Sequence, residues 1–557
     1  MELQIKGRRQ NVSFKSYIMQ PTSYYFVFPA VAILLTFWLF LRSKGGRSLV
    51  QKIRGPQSPS FLLGHEYLLR SRQHVGDMER EWCQEYGAVY RTKGCFGQDI
   101  LSVADPKALQ YIFHSSGYRF PKTRDAFRAL QAFMGQGLVG VGGETHQRQR
   151  RILGPAFAAS QLRLFLIVFQ ASAVTLTEKI NERVGEAKVL NVLERTSKAA
   201  LDIIAAFRYH FNSLGNGQTE LMVAANNLLY AREAGLWPTS WELLFTSLWR
   251  ILPEWSLIPL NWIPSRQIGR MNFFKKVAMK VSRPIFEKQL EEVAGDANPA
   301  EKDVVNVLAI SHLNEDAKKK MSDIEIDSQL ATFILAGHDT TANTMAWLLY
   351  ELSLHPEDQT KIREEIARTK ANAAEAFTSN DYDSMTWLNA CIKEALRLHP
   401  LAYSLFREPA QDDILPLAEP IITSDGKSCS QIPIRKGQII MTSIYSYNRL
   451  TSVWGDDAED WNPNRFLDGR DAKQTSLGVY ANLLTFSAGV RGCIGWRFAV
   501  MELQSVVTEL LSNFEFSMPK GAPKLLHGPA GVTLSPIVPG KGEEGPQIPL
   551  LVAALKK

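Results

Sequence analysis

The residues whose types and spacing point most directly to chemistry surround one cysteine, in the stretch Phe486-Ser-Ala-Gly489-Val-Arg491-Gly-Cys493-Ile-Gly495. Its glycines permit tight turns and close approach of the backbone to a bound surface. Arg491 offers a fixed cation that suits a carboxylate. A helix predicted from Trp496 to Phe514 directs its N-terminal amides at the sulfur and favours the anion. The pattern predicts a thiolate that faces a flat, buried, anionic cofactor. The alternative is a buried core cysteine.

This stretch resembles the haem-ligand signature of the cytochrome P450 family. The resemblance implies that Cys493 is the proximal ligand of the iron of haem b, and that Phe486, Arg491 and Gly495 belong to the cofactor site. A thiolate ligand pushes electron density onto the iron and favours cleavage of the O–O bond. One motif is only a hypothesis, so other parts of the chain must agree with it.

A second group of polar residues lies inside a long predicted helix. Ser322-Asp-Ile-Glu325 is a capping box that opens the helix, and His355-Pro356 ends it after Leu354. Its middle reads Ala336-Gly337-His338-Asp339-Thr340-Thr341, although Gly, Asp and Thr are poor helix formers. Such broken rules often mark a functional site, and a threonine hydroxyl can bond back to a carbonyl and open a groove. A polar face in contact with water is the alternative.

The same six residues resemble the oxygen-activation motif of the family. The resemblance implies that Thr340 holds the hydrogen-bond network around the oxygen and that Asp339 relays protons toward it. Ala336 and Gly337 would line the oxygen pocket. His338 occupies the variable position of the motif and receives no chemical role.

A helix predicted from Thr386 to Leu398 carries Glu394-Ala-Leu-Arg397, whose three-residue spacing places both charges on one face. Alone this signal is weak, because an exposed Glu–Arg pair contributes little. Together with Arg465 in Trp461-Asn-Pro463-Asn-Arg465, it resembles the family's structural Glu-Arg-Arg triad, which holds the cysteine loop in place. Asn464 stands where the family most often has glutamate.

Candidate partners for the haem propionates are basic. Residues 143–151 resemble the family's Trp-x-x-x-Arg helix, with Arg150 as the arginine and His146, which can also donate a hydrogen bond, in place of tryptophan. A basic helix in contact with water is the alternative. Arg407 follows Pro400 at the family's spacing for a propionate arginine, and Arg491 is a further candidate.

One glycine motif does not indicate a nucleotide site. Gly135-Gln-Gly137-Leu-Val-Gly140 matches GxGxxG, but no predicted strand precedes it, so we interpret it as a loop. No NADPH or flavin domain is evident in the chain. The resemblance therefore implies electrons from NADPH through a separate NADPH-cytochrome P450 reductase, with cytochrome b5 as a second candidate donor.

Composition limits the remaining classes. The 557 residues carry a net charge of +7, and their five cysteines show neither a CxxC pair nor zinc spacing, which indicates a reducing compartment. Basic residues are spread along the chain and argue against nucleic-acid binding.

Length alone allows three or four domains, but no linker or repeat divides the chain. The resemblance implies one large, mainly α catalytic domain with a small β region. Polar stretches at 291–303 and from Gly540 are interpreted as loops.

The apolar run at residues 24–41 is long enough to cross a bilayer as a helix. A signal peptide is the weaker alternative, because the run is long and no cleavage site follows. A slight excess of basic residues after the run predicts a cytoplasmic catalytic domain, which places the glycosylation sequon at Asn11 in the lumen. We predict an N-terminal tail at 1–23, a transmembrane anchor at 24–42, a proline-rich hinge at 43–66 and a haem-thiolate catalytic domain at 67–557. The protein would then be a single-pass protein of the endoplasmic reticulum membrane.

Aromatic residues indicate where a substrate enters. Five of the twelve tryptophans lie from Trp237 to Trp262 in a segment interrupted by prolines, which is typical of a lid that dips into a membrane interface. Packing into the core is the alternative. Four further apolar residues lie where the family usually lines its pocket: Phe127, Leu130, Phe133 and Met134. These features predict a bulky, lipophilic small-molecule substrate that arrives from the membrane.

The combined prediction is a monooxygenase that inserts one oxygen atom from O₂ into a C–H or C=C bond of a lipophilic small molecule. His146 and the general character of the chain resemble fungal members that tailor terpenoids or other secondary metabolites. One alternative is a haem-thiolate isomerase or dehydratase, which the pair Asp339-Thr340 argues against. A non-catalytic haem sensor or carrier is another, and such a protein needs no substrate lid.

Overall fold

Helices dominate the described part of the computed structural model, which comprises residues 49–72, 74–185, 187–204, 213–216, 219–230, 240–252, 266–295, 303–372, 376–468, 477–530 and 533–555. The helices are α1 Glu66–Ser71, α2 Asp77–Tyr86, α3 Pro106–Gln110, α4 Arg124–Met134, α5 Gly143–Leu153, α6 Ala159–Val184, α7 Val192–Ile203, α8 Ser213–Asn216, α9 Glu220–Tyr230, α10 Ser240–Ile251, α11 Arg266–Ala294, α12 Val304–Leu313, α13 Asp323–Leu354, α14 Pro356–Asn372, α15 Ser379–Ser384, α16 Thr386–Leu398, α17 Ile444–Tyr447, α18 Thr451–Trp454 and α19 Trp496–Asn513. The predicted anchor at 24–42 and Asn11 lie outside the described residues.

The strands are short and gather in small sheets. They are β1 Val89–Lys93, β2 Asp99–Val103, β3 Ala187–Asn191, β4 Ser404–Arg407, β5 Asp413–Ile422, β6 Ser428–Ile434, β7 Ile439–Ser443, β8 Phe514–Ser517, β9 Leu526–Ala530, β10 Thr533–Ile537 and β11 Pro549–Ala554. One sheet has the order β1-β2-β7-β4, with β2 and β7 parallel, and a second has the order β3-β11-β8. The pairs β5–β6 and β9–β10 are antiparallel. The predicted fold class, mainly α with a small β region, is confirmed.

The long helix α13 forms the centre of the structure. Ser322 caps it, since the Ser322 hydroxyl accepts from the Glu325 amide and the Glu325 carboxylate accepts from the Ser322 amide at 3.0 Å. The helix ends at Leu354, before Pro356, as its sequence predicts. It packs against α7, α11, α16 and α19. Most of its side chains are buried, so any polar residue in its middle faces protein or an internal space.

The interpretation of two segments as loops is wrong in part. Residues 291–294 continue α11, which runs through Pro284 and ends just before Gly295. The tail from Gly540 contains β11, which pairs with β3 and β8. Its apolar residues Leu550 and Val552 are buried, so tertiary packing outweighs the turn-forming residues before it.

Among the described helices, α6 alone is long and apolar enough, by length and composition, to cross a membrane. Its buried face packs on α19, where the rings of Phe169 and Phe498 lie 4.8 Å apart. This contact is typical of a core helix, so the composition of α6 is weak support for a membrane span.

Candidate functional site

The cysteine loop connects a 3₁₀ turn at Gly489–Arg491 with α19. The Cys493 amide donates to the Phe486 carbonyl at 2.8 Å and closes the loop. Gly489 has a φ of 62°, and a β-carbon there would lie 1.8 Å from the Phe113 carbonyl oxygen. Only glycine therefore fits at this position. The loop is held in a turned conformation that presents the cysteine ahead of the helix.

The thiol of Cys493 faces an internal space. The side chain is solvent-accessible, yet burial raises its pKa, with the Gly495 amide and Arg150 acting in the opposite direction. A sulfur that is both accessible and surrounded by protein must open onto a hollow. A β-carbon on Gly495 would meet only Phe157 at 3.6 Å. The protein alone therefore does not require a glycine here, whereas a flat group beside the sulfur would.

The centre of α13 has the bond from the Thr340 hydroxyl back to a carbonyl that its sequence predicts. Thr340 Oγ1 donates to the Ala336 carbonyl at 2.7 Å. Ala336 is exposed in the middle of an otherwise buried helix. Asp339 is buried, and its Oδ1 accepts from the Asn343 side chain at 3.2 Å. A β-carbon on Gly337 would lie 2.4 Å from Ile204 Cδ1, so the glycine permits close packing there.

Helix α7 anchors α13 on both sides of Asp339. His338 Nε2 lies 2.8 Å from the Ser197 hydroxyl, and burial lowers the pKa of this histidine to about 4. Four residues further along, the Ala342 carbonyl accepts from Thr196 Oγ1 at 2.9 Å. His338 is therefore a neutral tether to α7.

Basic side chains converge near the cysteine loop without a carboxylate partner among the described residues. Burial lowers the pKa of Lys122 to about 7, with a further contribution from Arg491 and Arg407. It lowers the pKa of Arg407 to about 10, again with Arg491 contributing. Burial and the neighbouring cations also lower the pKa of His146 to about 3. Such unneutralised, desolvated cations are costly, which indicates a place for an anionic group.

The structure brings most of the predicted propionate partners together and adds two residues. Arg491 lies over the Tyr118 ring at 5.1 Å, and the Tyr118 hydroxyl is 2.8 Å from His146 Nδ1. Arg150 instead donates to the Gly492 carbonyl at 2.7 Å, next to the cysteine. Sequence reasoning missed Lys122 and Tyr118, because neither belongs to a local pattern.

Glu394, Arg397 and Arg465 form a fully buried ion cluster. Arg397 donates to both Glu394 oxygens at 2.8 Å, and Arg465 Nε donates to Oε1 at 3.0 Å. Their remaining guanidinium groups donate to backbone carbonyls, among them those of Asn448 and Trp454. Because the cluster is buried and fully hydrogen-bonded, removing one partner would leave an uncompensated buried charge. The small contribution expected of an exposed Glu–Arg pair therefore does not apply to this buried cluster.

The ion cluster reaches the cysteine loop through Asn448. The Asn448 carbonyl accepts from Arg397, its Oδ1 accepts from the Leu484 amide at 3.2 Å and its Nδ2 donates to Thr485 Oγ1 at 2.9 Å. Thr485 donates in turn to the Leu396 carbonyl at 2.6 Å. These bonds fix the segment immediately before Phe486 relative to α16.

The glycine motif at 135–140 is a loop, as predicted, and its glycines allow contact with α13. The Gln136 amide donates to Ser328 Oγ at 2.9 Å, and a β-carbon on Gly137 would lie 2.8 Å from Thr332 Oγ1. The preceding helix α4 carries the predicted pocket residues: Met134 is buried, whereas Phe127, Leu130 and Phe133 are half-buried. Of the five tryptophans, Trp241 is 79 % exposed and Trp249 half-buried on α10. Trp237, Trp255 and Trp262 lie outside the described residues.

The residues present fit a haem with a thiolate ligand. The Cys493 sulfur faces a hollow beside Gly495. In the middle of the central helix, Ala336 is exposed and its carbonyl accepts from Thr340. The cations near the cysteine loop lack acidic partners among the described residues. Two propionates would neutralise those cations. Cys493 is the soft donor that iron accepts.

Comparison with known proteins gives the family. The description "Cytochrome P450" applies to the profile that matches residues 54–540. Cytochrome P450 monooxygenase 81 of Postia placenta is 31 % identical over 95 % of this chain and 97 % of its own length. Cytochrome P450 monooxygenase claQ of Ampulloclitocybe clavipes is 30 % identical over 92 % of this chain and 96 % of its own length.

The chain belongs to the cytochrome P450 family. The relatives named here are fungal proteins described as monooxygenases, so the predicted class of enzyme, a haem-thiolate monooxygenase, is confirmed. The membership and the relatives' names give no support to the isomerase, dehydratase or non-catalytic alternatives.

Proposed function

We propose that the protein inserts one oxygen atom from O₂ into a lipophilic small molecule, with Cys493 as the iron ligand of haem b. The observation that carries this proposal is the accessible sulfur of Cys493 in a loop where burial by protein raises the pKa of the thiol. The exposed Ala336, whose carbonyl accepts from Thr340, supports it. When bound, the haem supplies activation of oxygen by a thiolate-ligated iron. A terpenoid or another secondary metabolite of a fungus is the substrate class that we favour.

Each predicted site residue has a role in this proposal. Arg407, Arg491 and His146 hold the propionates together with Lys122, and Arg150 braces the cysteine loop from the same basic region. Phe486, Gly495, Ala336 and Gly337 border the haem. Asp339 and Thr340 hold and move protons in the groove of α13. Glu394, Arg397 and Arg465 keep the cysteine loop in register.

A separate protein is the proposed source of the electrons. NADPH-cytochrome P450 reductase is the proposed donor, with cytochrome b5 as a second one. Each would dock on the catalytic domain that we place at 67–557, behind the tail at 1–23, the anchor at 24–42 and the hinge at 43–66. This arrangement places the enzyme on the cytoplasmic face of the endoplasmic reticulum, with Asn11 open to glycosylation in the lumen.

The apolar character of α4 supports a lipophilic substrate. Phe127, Leu130 and Phe133 are only half-buried by the protein. A β-carbon on Gly142 would lie 3.7 Å from both the Phe127 ring and the Arg491 guanidinium, so these two side chains are close to each other. The helix therefore borders the basic region that we assign to the haem. A substrate beside the haem would cover these side chains and contribute the burial that they lack.

The test is reconstitution of the full chain with the reductase, NADPH and a panel of lipophilic compounds. We expect a strongly red-shifted Soret band in the reduced carbon monoxide complex, and product that carries one atom from ¹⁸O₂. A haem-loaded, folded sample without that band would remove Cys493 as the ligand. If the band forms and NADPH is consumed, but no product carries ¹⁸O, the result would argue against oxygen insertion. Mobility before and after endoglycosidase treatment tests Asn11.

A further inference from the structure

A buried arginine on α10 joins three elements that are far apart in the sequence. Arg250 is a bidentate donor to Glu66 of α1, with Nη1–Oε1 at 2.8 Å and Nη2–Oε2 at 2.5 Å. Its Nε lies 2.9 Å from Asp125 Oδ2 in the first turn of α4. The three side chains are only 5 %, 6 % and 15 % exposed. The cluster, which we call the Arg250 ion cluster, is separate from the Glu394 triad and from the haem cations.

The Arg250 ion cluster joins α10 to α4, the helix that carries the predicted pocket residue Phe127. Helix α4 borders the proposed substrate space through Phe127, as described above, and Asp125 is two residues away on the same helix. On the outer side, large apolar side chains around the cluster are exposed to solvent: Phe61, Leu62, Tyr67, Leu68 and Trp241. A route between α10 and α4 would bring a lipophilic molecule from this surface to the apolar side chains of α4.

The other end of α4 is held independently of the Arg250 ion cluster. Lys275 of α11 donates to the Ala132 carbonyl at 2.6 Å, and the loop that follows α4 is bonded to Ser328. The N-terminal end of α4 depends on Asp125 for its charged contact with α10. The segment before α4 is also bonded, since the Glu408 amide donates to the Pro121 carbonyl at 3.0 Å. Opening would therefore be a local separation of α10 from the first turn of α4, at Arg250 and Asp125.

An ion cluster suits a contact that must open. In the closed state the Coulomb attraction offsets the cost of removing three charges from water, and the two terms nearly cancel. In the open state each charge regains its hydration. If the same area were packed with apolar side chains, opening would cost free energy in proportion to the apolar surface exposed to water. The open state can therefore be a minor but populated conformation.

We propose that Arg250, Glu66 and Asp125 form an ionic latch between α10 and α4 that limits the size of the substrates admitted to the active site. This inference rests on the proposed function, because α4 borders the space assigned to haem and substrate. Asp125 is the residue that governs opening, and the bidentate Glu66–Arg250 pair keeps α10 on the body of the protein. The three residues determine specificity through access and not through contact with the reacting atoms.

The test compares entry of a small and a bulky nitrogen ligand of haem iron, imidazole and clotrimazole, by stopped-flow absorbance on the full-length holoenzyme. Asp125→Asn keeps the shape of the side chain and leaves the buried Glu66–Arg250 pair intact, so it is the variant best able to fold. We expect the association rate of clotrimazole to rise on the order of tenfold, as a minor open state of a few per cent becomes a major one. The rate for imidazole should change less than about twofold, and Asp125→Glu should restore slow entry.

Arg72 and Glu79 supply a matched control. They form a bidentate pair at 2.6 and 2.5 Å, 7 % and 3 % exposed, which contacts neither α10 nor α4 in the described residues. Glu79→Gln should lower the melting temperature and leave both association rates unchanged. If Glu79→Gln accelerates clotrimazole as much as Asp125→Asn does, or if Asp125→Asn accelerates both ligands equally, the latch is refuted.

Amide hydrogen exchange gives a second measurement that does not depend on ligand binding. In Asp125→Asn, exchange should accelerate in both 124–134 and 240–252, whereas Glu79→Gln should leave these segments unchanged. Unaltered exchange in Asp125→Asn would overturn the latch even if the haem site is as proposed. Conversely, a wild-type protein without any azole spectrum would contradict the haem proposal, and the exchange measurement would still decide on the latch.

Discussion

Cys493 is the residue on which the chemistry depends. We expect Cys493→Ser to abolish the red-shifted carbon monoxide band and to reduce product formation to background, because a hydroxyl is not the soft anionic donor that a thiolate is. Cys429→Ser is the control, since that thiol bonds to the nearby Gln431 carbonyl on β6. The absorbance spectrum and product yield of both variants provide the comparison. A thiolate-type spectrum in Cys493→Ser would assign the ligand to another residue.

Glu502 of α19 is fully buried, and burial raises its pKa well above 4.5, with the Thr341 hydroxyl acting in the opposite direction. A carboxyl whose folded-state pKa is raised keeps its proton where the unfolded chain has lost it. Stability is therefore lost as the pH rises above about 4.5, by up to about 1.4 kcal/mol per pH unit until the folded group also ionises. Glu502→Gln cannot ionise, so its stability relative to wild type should increase with pH.

Thermal melting of the wild type and Glu502→Gln holoenzymes at pH 5 and pH 8 measures this effect. The variant should gain relative stability at the higher pH. Glu365→Gln is a contrasting variant: that carboxylate accepts from the amides of Trp387 and Leu388 at the start of α16, so its replacement should lower the melting temperature. If the difference in melting temperature between Glu502→Gln and wild type is the same at pH 5 and pH 8, Glu502 ionises normally.

At the scale of elements, the middle of α13 carries one side-chain bond that we expect to matter for the reaction. Thr340→Ala removes the hydroxyl that bonds to the Ala336 carbonyl and that we propose to hold protons for the reaction. Product formed per NADPH should fall roughly tenfold or more, with peroxide released instead, as expected for loss of a proton-positioning group. Thr344→Ala is the matched control, because Thr344 makes the same bond one turn later, to the Thr340 carbonyl at 2.9 Å. Unchanged coupling in Thr340→Ala would exclude the residue from the relay.

The elements also differ in how far the sequence predicts them. The bounds of α13 and α16 follow from a capping box, helical spacing and the prolines that end them, all of which are local signals. Local signals also suffice for the motifs around Cys493 and Thr340. The partners of Arg250 and the place of Lys122 depend on contacts between residues more than a hundred positions apart or between separate loops. No periodicity or spacing contains that information, and the tail strand β11 was missed for the same reason.

At the scale of the whole molecule, the proposed division predicts how the protein holds to a membrane. The residues described from Leu49 onward have a core of their own, in which Val50 and Ile53 are already buried. Deleting residues 1–42 should therefore leave the carbon monoxide band intact while removing the anchor, whose apolar run is long enough to cross a bilayer. The full chain should stay with membranes in alkaline carbonate, which extracts proteins that bind only at the surface.

The deletion variant should remain on membranes at neutral pH and low salt, and be released by carbonate. Its residual binding should come from the exposed apolar side chains near α1 and α10, chiefly Phe61, Leu62 and Trp241, since such groups partition into a membrane interface. Adding Phe61→Ser and Trp241→Ser to the deletion should release it without carbonate. If the deletion variant resists carbonate as the full chain does, the anchor lies outside residues 1–42. A full chain that carbonate extracts would mean that only surface contact holds the enzyme, and the latch region would then be its main membrane contact.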